Sequence, residues 1–275
     1  MKFADCHLHS ICSFDADRDA TFENIVSSAE SRGDIFALAF TDHFEVNALH
    51  EDIASPYDAE KTYEYINSKI DSYKGPLKLS YGVELAQGYQ YPDDAKAFLE
   101  KYAPTTVNCS LHNARGERDF YYIDFGNFTK EMIKEKWDKY IKELFEAIEL
   151  PGIDSLCHLS YPLRYIIATG NSFDISYSYD QIAMLFERMV KKDLCLECNT
   201  SLFYREALPP FRIETEEKIF SLYRECGGRL ITIGSDAHRP AHIGGGFERA
   251  REMLKKIGFD SLAFVYRKNI ETYKI

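Results

Sequence analysis

Asp5-Cys6-His7-Leu8-His9-Ser10 is the stretch on which the reading of the whole chain turns. It closes the first strand expected from the sequence, residues 3–10. Side chains two apart on a strand leave the same face. His7 and His9 therefore aim two imidazoles at one point, and imidazole is the commonest protein ligand for metals such as zinc. One such pair carries little weight alone. Five more short apolar runs close in the same manner: Thr41-Asp42-His43, Gly82-Val83-Glu84, Ser110-Leu111-His112, Cys157-His158 and Ser235-Asp236-Ala237-His238.

Helical patterns fill the intervals between these runs. They are expected over 21–32, stopped by Gly33, then over 58–73, ended by Gly75-Pro76, and over 93–102. The pattern over 129–149 is the clearest, with Ile133, Trp137, Ile141, Phe145 and Ile148 on one stripe that reads as core packing. Later stripes run through Ile182, Leu185, Phe186 and Met189, through Ile219, Leu222 and Tyr223, and over 246–257. Strands are expected at 35–40, 77–85, 105–112, 154–160, 194–200 and 230–234, with one more at Phe264-Val265-Tyr266. Continuous apolar runs such as Ile35-Phe-Ala-Leu-Ala-Phe40 suit strands buried on both faces. Residues 113–128 show no period and exceed an ordinary tight connection, and long loops of that kind are often functional. Residues His9, His43, Glu84, His112, His158, Asn199 and Asp236 stand 34, 41, 28, 46, 41 and 37 positions apart, about one βα unit each. With no linker and no shift of composition, residues 1–275 read as a single α/β domain, a parallel barrel with its chemistry at the C-terminal strand ends. An open doubly wound sheet is the alternative, but ligands from six strands converge better on a barrel mouth.

Composition narrows the function. The chain has 275 residues and a net charge of -11, with a pI of about 5.3. Such a chain repels a nucleic-acid backbone. No apolar run approaches the ~20 residues that span a bilayer, and Met1-Lys2-Phe3-Ala4-Asp5 lacks the apolar core of a signal peptide, so a cytoplasmic protein is expected. The seven cysteines read as buried free thiols. Cys195 and Cys198 have CxxC spacing, but on a strand they face opposite ways and do not suit one metal.

Six of the eight histidines fall at strand ends. Only His50 and His242 lie in loops, and His242 is close enough to the 236–238 motif to touch a substrate. Such a ligand set exceeds one tetrahedral zinc. A carboxylate shared between two ions ~3.5–4 Å apart is the usual device, and Glu84 is the candidate bridge. Asp15, in Ser13-Phe14-Asp15, can curl over the same mouth, although a turn or capping role competes.

The order DxHxHS, TDH, GxE, SxH, HL and GSDAHRP, spread from Asp5 to about Gly244, resembles the PHP (polymerase and histidinol phosphatase) superfamily. Within it, the stand-alone histidinol-phosphate phosphatases of the HisJ/HisK type are most similar. The resemblance implies a distorted (β/α)7 TIM-like barrel with a trinuclear centre of divalent transition metals, two to three of Zn, Mn or Fe. It places His7, His9, Glu84 and Asp236 on a first metal. Glu84, His112 and His158 fall on a second, and Asp15, His43 and His238 on a third. Asp15 stands where many members have histidine, and an oxygen ligand favours a harder ion such as manganese. Asp5 and Asp42 are expected to orient histidines. Arg164 and Arg205, on loops after the fifth and sixth strands, are the expected phosphate-binding arginines, with Arg239 and Arg115 as weaker candidates. Tyr121, Tyr161 and Phe203 are aromatics placed to hold an imidazole or simply to pack.

The implied reaction is hydrolysis of L-histidinol phosphate by a hydroxide formed between two metals, with Glu84, Asp236, His238, Arg164 and Arg205 as the working residues. The proton donor to the leaving oxygen stays open between water, His238 and another group of the site. The expected partner is a small phosphomonoester, with no nucleic acid and no membrane, on a monomer or small homo-oligomer. A PHP phosphoesterase acting on nucleotides or short nucleic acid is the alternative, and a non-enzymatic metal-stabilised module is a third reading.

Overall fold

The computed structural model describes residues 2–50, 58–204 and 210–275. Its centre is a parallel barrel. The strands are β1 (Phe3–Leu8), β2 (Ile35–Phe40), β3 (His43–Glu45), β4 (Lys78–Ala86), β5 (Thr106–Ser110), β6 (Ser155–Leu156), β7 (Cys195–Asn199) and β8 (Ile231–Gly234). They follow one another as β1-β2-β4-β5-β6-β7-β8, with β3 paired to β4 beyond the end of β2. At the mouth the circle is drawn together between β8 and β1: Asp236 N donates to His7 O at 2.7 Å and His9 N donates to Ala237 O at 2.9 Å.

The outer helices are α1 (Phe22–Arg32), α2 (Ala59–Ser72), α3 (Pro92–Tyr102), α4 (Lys130–Ala147), α5 (Tyr161–Ala168), α6 (Tyr179–Lys191), α7 (Ser201–Tyr204), α8 (Pro210–Glu225) and α9 (Phe247–Ile257). Their ends follow local chemistry. Thr21 caps α1 by accepting from Asn24 N, and Gly33 ends it at φ 72°, a conformation that costs glycine little. The apolar seam of α4 comprises Ile133, Trp137, Tyr140, Ile141, Leu144 and Ala147, all fully buried, whereas Phe145 is only partly covered. No helix among the described residues is long and apolar enough to cross a membrane.

Four features differ from the sequence reading. The strand expected over 154–160 is only Ser155–Leu156. It stops because His158 takes φ 25° and gives its N–H to the Glu197 carboxylate at 2.8 Å. The segment after it is helix α5, so Arg164 stands on a helix rather than a loop. Pro162 lies in the first turn of α5, where a missing N–H costs nothing. Residues 113–128 contain two 3-10 turns, Phe120–Tyr122 and Phe125–Asn127, pinned by buried Phe120 and Phe125. The last expected strand is half of an antiparallel hairpin, β9 (Ser261–Tyr266) and β10 (Asn269–Lys274). The hairpin packs Phe264 against Ala4, Cys6 and Ala37, and Tyr273 Oη accepts from Ala4 N at 3.1 Å.

Candidate metal centre

Six strands, β1, β3, β4, β5, β6 and β8, send side chains from their C-terminal ends to one point. Glu84 of β4 is in register with His43 of β3. His7 lies on β1 and His9 just past it. His112 and His158 follow β5 and β6 by two residues, and Asp236 and His238 follow β8. Glu84 is the hub. Its Oε1 lies 2.7 Å from His158 Nε2 and 3.1 Å from His112 Nε2. Its Oε2 lies 2.9 Å from His43 Nδ1, 3.3 Å from His7 Nε2 and 3.5 Å from His9 Nε2. Asp236 Oδ1 is 3.3 Å from His9 Nε2 and 4.0 Å from His7 Nε2. Asp15 reaches the far side, 2.9 Å from His238 Nε2 and 3.6 Å from His43 Nε2.

The rings are held by groups behind them. His7 Nδ1 donates to Glu197 Oε1 at 2.7 Å, and His112 Nδ1 donates to Glu45 Oε1 at 2.7 Å. Ser13 Oγ gives its proton to Asp42 Oδ1 at 2.7 Å, so at 3.1 Å from His9 Nδ1 it acts as acceptor. His238 Nδ1 donates to Asp236 O at 3.0 Å. In all four rings the Nδ1 proton points outward and Nε2 is left facing inward. Gly234 makes room for this packing, since a Cβ there would lie 2.4 Å from both His7 Cβ and Glu197 Oε1.

The electrostatics of so many buried groups are severe. Burial opposes charge on Glu84, yet His43, His7 and His112 hold its carboxyl well below the usual range. Burial likewise opposes protonation of His7 and His112, and the carboxylates of Glu197, Glu45 and Glu84 overcome it. Against the same burial, Glu84 and Asp15 push His43 up to about 10. His9 goes the other way, held low by burial and by His238 and His43. With protons alone the site is an imperfect compromise: the buried atoms His7 Nε2, His9 Nε2 and Glu84 Oε2 have no directed hydrogen bond among the described residues. Divalent ions fit that donor set. Donor atoms of His7, His9 and Asp236, of His7, Glu84 and His158, of His9, His43 and His238, and of His43, Glu45 and His112 each fall within 4.8 Å of one another. Imidazole and carboxylate together suit zinc, iron and manganese.

The cavity above this floor has a volume of about 570 Å3. Arg164, Tyr121, Tyr161, His242 and Arg239 line it. Arg164 bonds Ser201 Oγ and lies 3.8 Å from Asp236 Oδ2. Arg239 is engaged by Asp17 at 2.8 Å. Arg115 turns away, to Gln90 O and Glu146, and Phe203 is buried in the core. Arg205 lies outside the described residues. His50 is on the surface, paired with Asp94 at 2.6 Å. Asp42 orients His9 through Ser13. Asp5 does not touch a histidine ring. It accepts from Ser235 N, Ser235 Oγ and Gly244 N, which ties β1 to the segment after β8. Cys195 and Cys198 are both buried and free. The sequence reading missed Glu45 and Glu197, the two carboxylates behind the rings. Glu45 stands two residues after His43 and Glu197 two before Asn199, the same alternation that singled out His7 and His9.

The PHP domain model matches residues 5–201. The chain belongs to the PHP domain family. The Thermotoga maritima protein called a probable histidinol-phosphatase is 28% identical over 272 residues, 98% of this chain and 99% of its own length. The Lactococcus lactis histidinol-phosphatase is 24% identical, covering 96% of this chain and 94% of its own. The crystal structure of the L. lactis histidinol phosphate phosphatase, complexed with zinc, L-histidinol and phosphate, superposes with a TM-score of 0.83 at 22% identity, over 98% of this chain and 99% of that one. This PHP chain therefore shares the barrel of that enzyme from end to end.

Proposed function

We propose that this chain is a metal-dependent phosphomonoester hydrolase that converts L-histidinol phosphate and water to L-histidinol and phosphate. The observation that carries the reading is one buried carboxylate, Glu84, encircled by five imidazoles at the floor of a cavity. The chain also aligns along its length with relatives called histidinol-phosphatases. Two to three divalent ions would sit on His7, His9, Glu84 and Asp236, on Glu84, His112 and His158, and on Asp15, His43 and His238. Zinc in the L. lactis structure makes zinc the first ion to try, and Asp15 favours manganese or iron at the outermost position.

When bound, such ions supply Lewis acidity toward phosphoryl oxygens and a water acidic enough to ionise near neutral pH. The chain does the rest by positioning. Glu197, Glu45 and the Ser13–Asp42 pair keep the rings of His7, His112 and His9 in the tautomer whose lone pair faces inward. Arg164, charged at any working pH, presents its fork toward the same floor and takes phosphoryl oxygens. Arg205 is proposed as its partner, and His242 as a substrate contact at the rim. Tyr121 and Tyr161 offer aromatic faces to an imidazole. Catalysis of this kind is mainly electrostatic stabilisation of charge spread over phosphoryl oxygens.

Phosphate release by metal-loaded protein tests the reading. Histidinol phosphate is expected to turn over with far higher kcat/KM than nucleoside monophosphates, dinucleotides or a generic aryl phosphate. A flat profile would replace it with a general phosphoesterase, and a preference for dinucleotides with the nucleic-acid branch of the superfamily.

A further inference from the structure

Six carboxylates line the cavity: Asp15, Asp17, Glu45, Glu84, Asp119 and Asp236. Five of them face a cationic or imidazole partner. Asp15 has His43 and His238, Asp17 has Arg239, Glu45 has His112, Glu84 has the histidine ring and Asp236 has His9. Asp119 is the exception. Among the described residues it has no cation within ion-pair distance. Its Oδ1 accepts from Tyr121 N at 2.8 Å and from Tyr161 Oη at 3.0 Å, and no hydrogen bond among the described residues uses its Oδ2. Burial holds its carboxyl above the ordinary range. The carboxylate is thus fixed in place and partly desolvated; His112 acts on it only from beyond ion-pair distance, offset in part by Glu45. An unpaired charge in such a setting is costly unless a ligand pairs it.

Its placement gives the ligand. Tyr161 and Arg164 lie on one face of α5, with the Arg164 guanidinium 5.8 Å from the Tyr161 ring and the Tyr161 hydroxyl on Asp119. A cation and an anion therefore flank one tyrosine on the same cavity wall. A molecule with a phosphate at one end and an ammonium two carbons away presents the complementary pair. We infer that Asp119 is the specificity-determining residue that pairs with the substrate's primary ammonium group, selecting amino-alcohol phosphates over phosphomonoesters without an amine. The inference rests on the reading of the chain as a histidinol-phosphate phosphatase. Asp119 takes no part in the bond-breaking step.

The test compares metal-loaded wild-type protein and Asp119→Asn on histidinol phosphate and on its analogue lacking only the amine, 3-(imidazol-4-yl)propyl phosphate. The amide keeps an oxygen for Tyr121 N and Tyr161 Oη and removes only the charge. Wild type should prefer the amine-bearing substrate. The variant should raise KM for it by roughly 10- to 100-fold, the range of one charged hydrogen bond. Its kcat should stay within about threefold, and the analogue should be handled as by wild type. Equal metal content and equal Tm in both proteins exclude a folding effect. Equal losses on both substrates would overturn the inference, because Asp119 would then serve the imidazole or the structure. No change on either substrate would overturn it as well. If wild type turns over neither compound, the parent reading fails and takes this one with it. If wild type turns over both and the variant leaves their ratio unchanged, only Asp119 is misassigned.

Discussion

Replacing Glu197 by glutamine changes one atom's chemistry and none of the shape, yet it should cost the protein a metal ligand it does not itself supply. Glu197 accepts three times: Oε1 from His7 Nδ1 at 2.7 Å, and Oε2 from the His158 backbone N–H at 2.8 Å and from Asn199 Nδ2 at 3.4 Å. An amide has a single acceptor. If its oxygen serves His158, the NH2 group faces His7 Nδ1. His7 must then carry its proton on Nε2, the atom that faces Glu84 and Asp236. If the oxygen serves His7, two donors meet at the His158 amide in a fully buried place, at about 1–3 kcal/mol. The first arrangement opposes metal binding directly, and the second preserves the His7 tautomer only at a cost in stability. Loss of a carboxylate behind a ligating histidine typically weakens affinity 10- to 100-fold, or about 1.4–2.7 kcal/mol. Competition against a chromophoric chelator at fixed pH measures the loss, and circular dichroism checks that the metal-free fold is retained. Affinity unchanged within about twofold in a folded Glu197→Gln protein would refute the claim that this carboxylate sets the His7 tautomer.

Other outcomes follow from the same geometry. Glu84→Gln should lower metal content by two ions together, since both carboxylate oxygens are shared among the rings; loss of one ion alone would make Glu84 a terminal ligand. Metal loading should release protons and tighten as pH rises, because His43 is raised from 6.5 to about 10 in the metal-free protein and must be neutral to ligate; calorimetry in buffers of different ionisation enthalpy counts those protons. The same shift makes His43 stabilise the metal-free fold fully below pH 6.5, a contribution lost as pH rises through about 10, so the Tm of metal-free protein should fall over that interval. Arg164→Ala should raise KM for the phosphate ester about tenfold or more and leave metal content unchanged, and full activity in that variant would place the phosphate elsewhere.

The fold was legible wherever the chain obeyed its own alternation. Buried parallel strands are continuous apolar runs, and helices between them carry stripes and glycine stops, so β2, β4, β5, α1 and α4 could be drawn to within a few residues. The misreadings have local causes. Leu156-Cys157 continues an apolar run, and nothing in it announces that His158 leaves the extended region or that a carboxylate on β7 takes its amide. Tyr161–Ala168 is too short for a helical stripe to stand out, and Pro162 looks like a breaker when it is a first-turn residue. The partner of β9 was invisible because Asn269–Lys274 is largely exposed and polar, which reads as a tail.

The proposed ligands were legible for a different reason from the groups that orient them. His7, His9, His43, His112, His158 and His238 repeat one position in one kind of unit, and repetition is visible in sequence. Glu45 and Glu197 occupy equivalent places on β3 and β7, but a single glutamate on a strand is unremarked, and Glu197 was further hidden inside Cys195-Leu-Glu-Cys198, whose cysteines drew the attention. Charge would have exposed them. The rings of His7, His9 and His112 turn Nε2 inward, and with nothing behind them each would leave its Nδ1 proton unpaired in a buried place. A ring that turns Nε2 inward needs an acceptor on its outer side. Searching each strand end for a carboxylate or hydroxyl two positions from a proposed ligand finds Glu45, and a search of β7, a barrel strand that contributes no proposed ligand, finds Glu197. That strand contributes the group that fixes two of the others, His7 through its ring and His158 through its backbone, so the barrel position with no histidine is as much a part of the centre as those that have one.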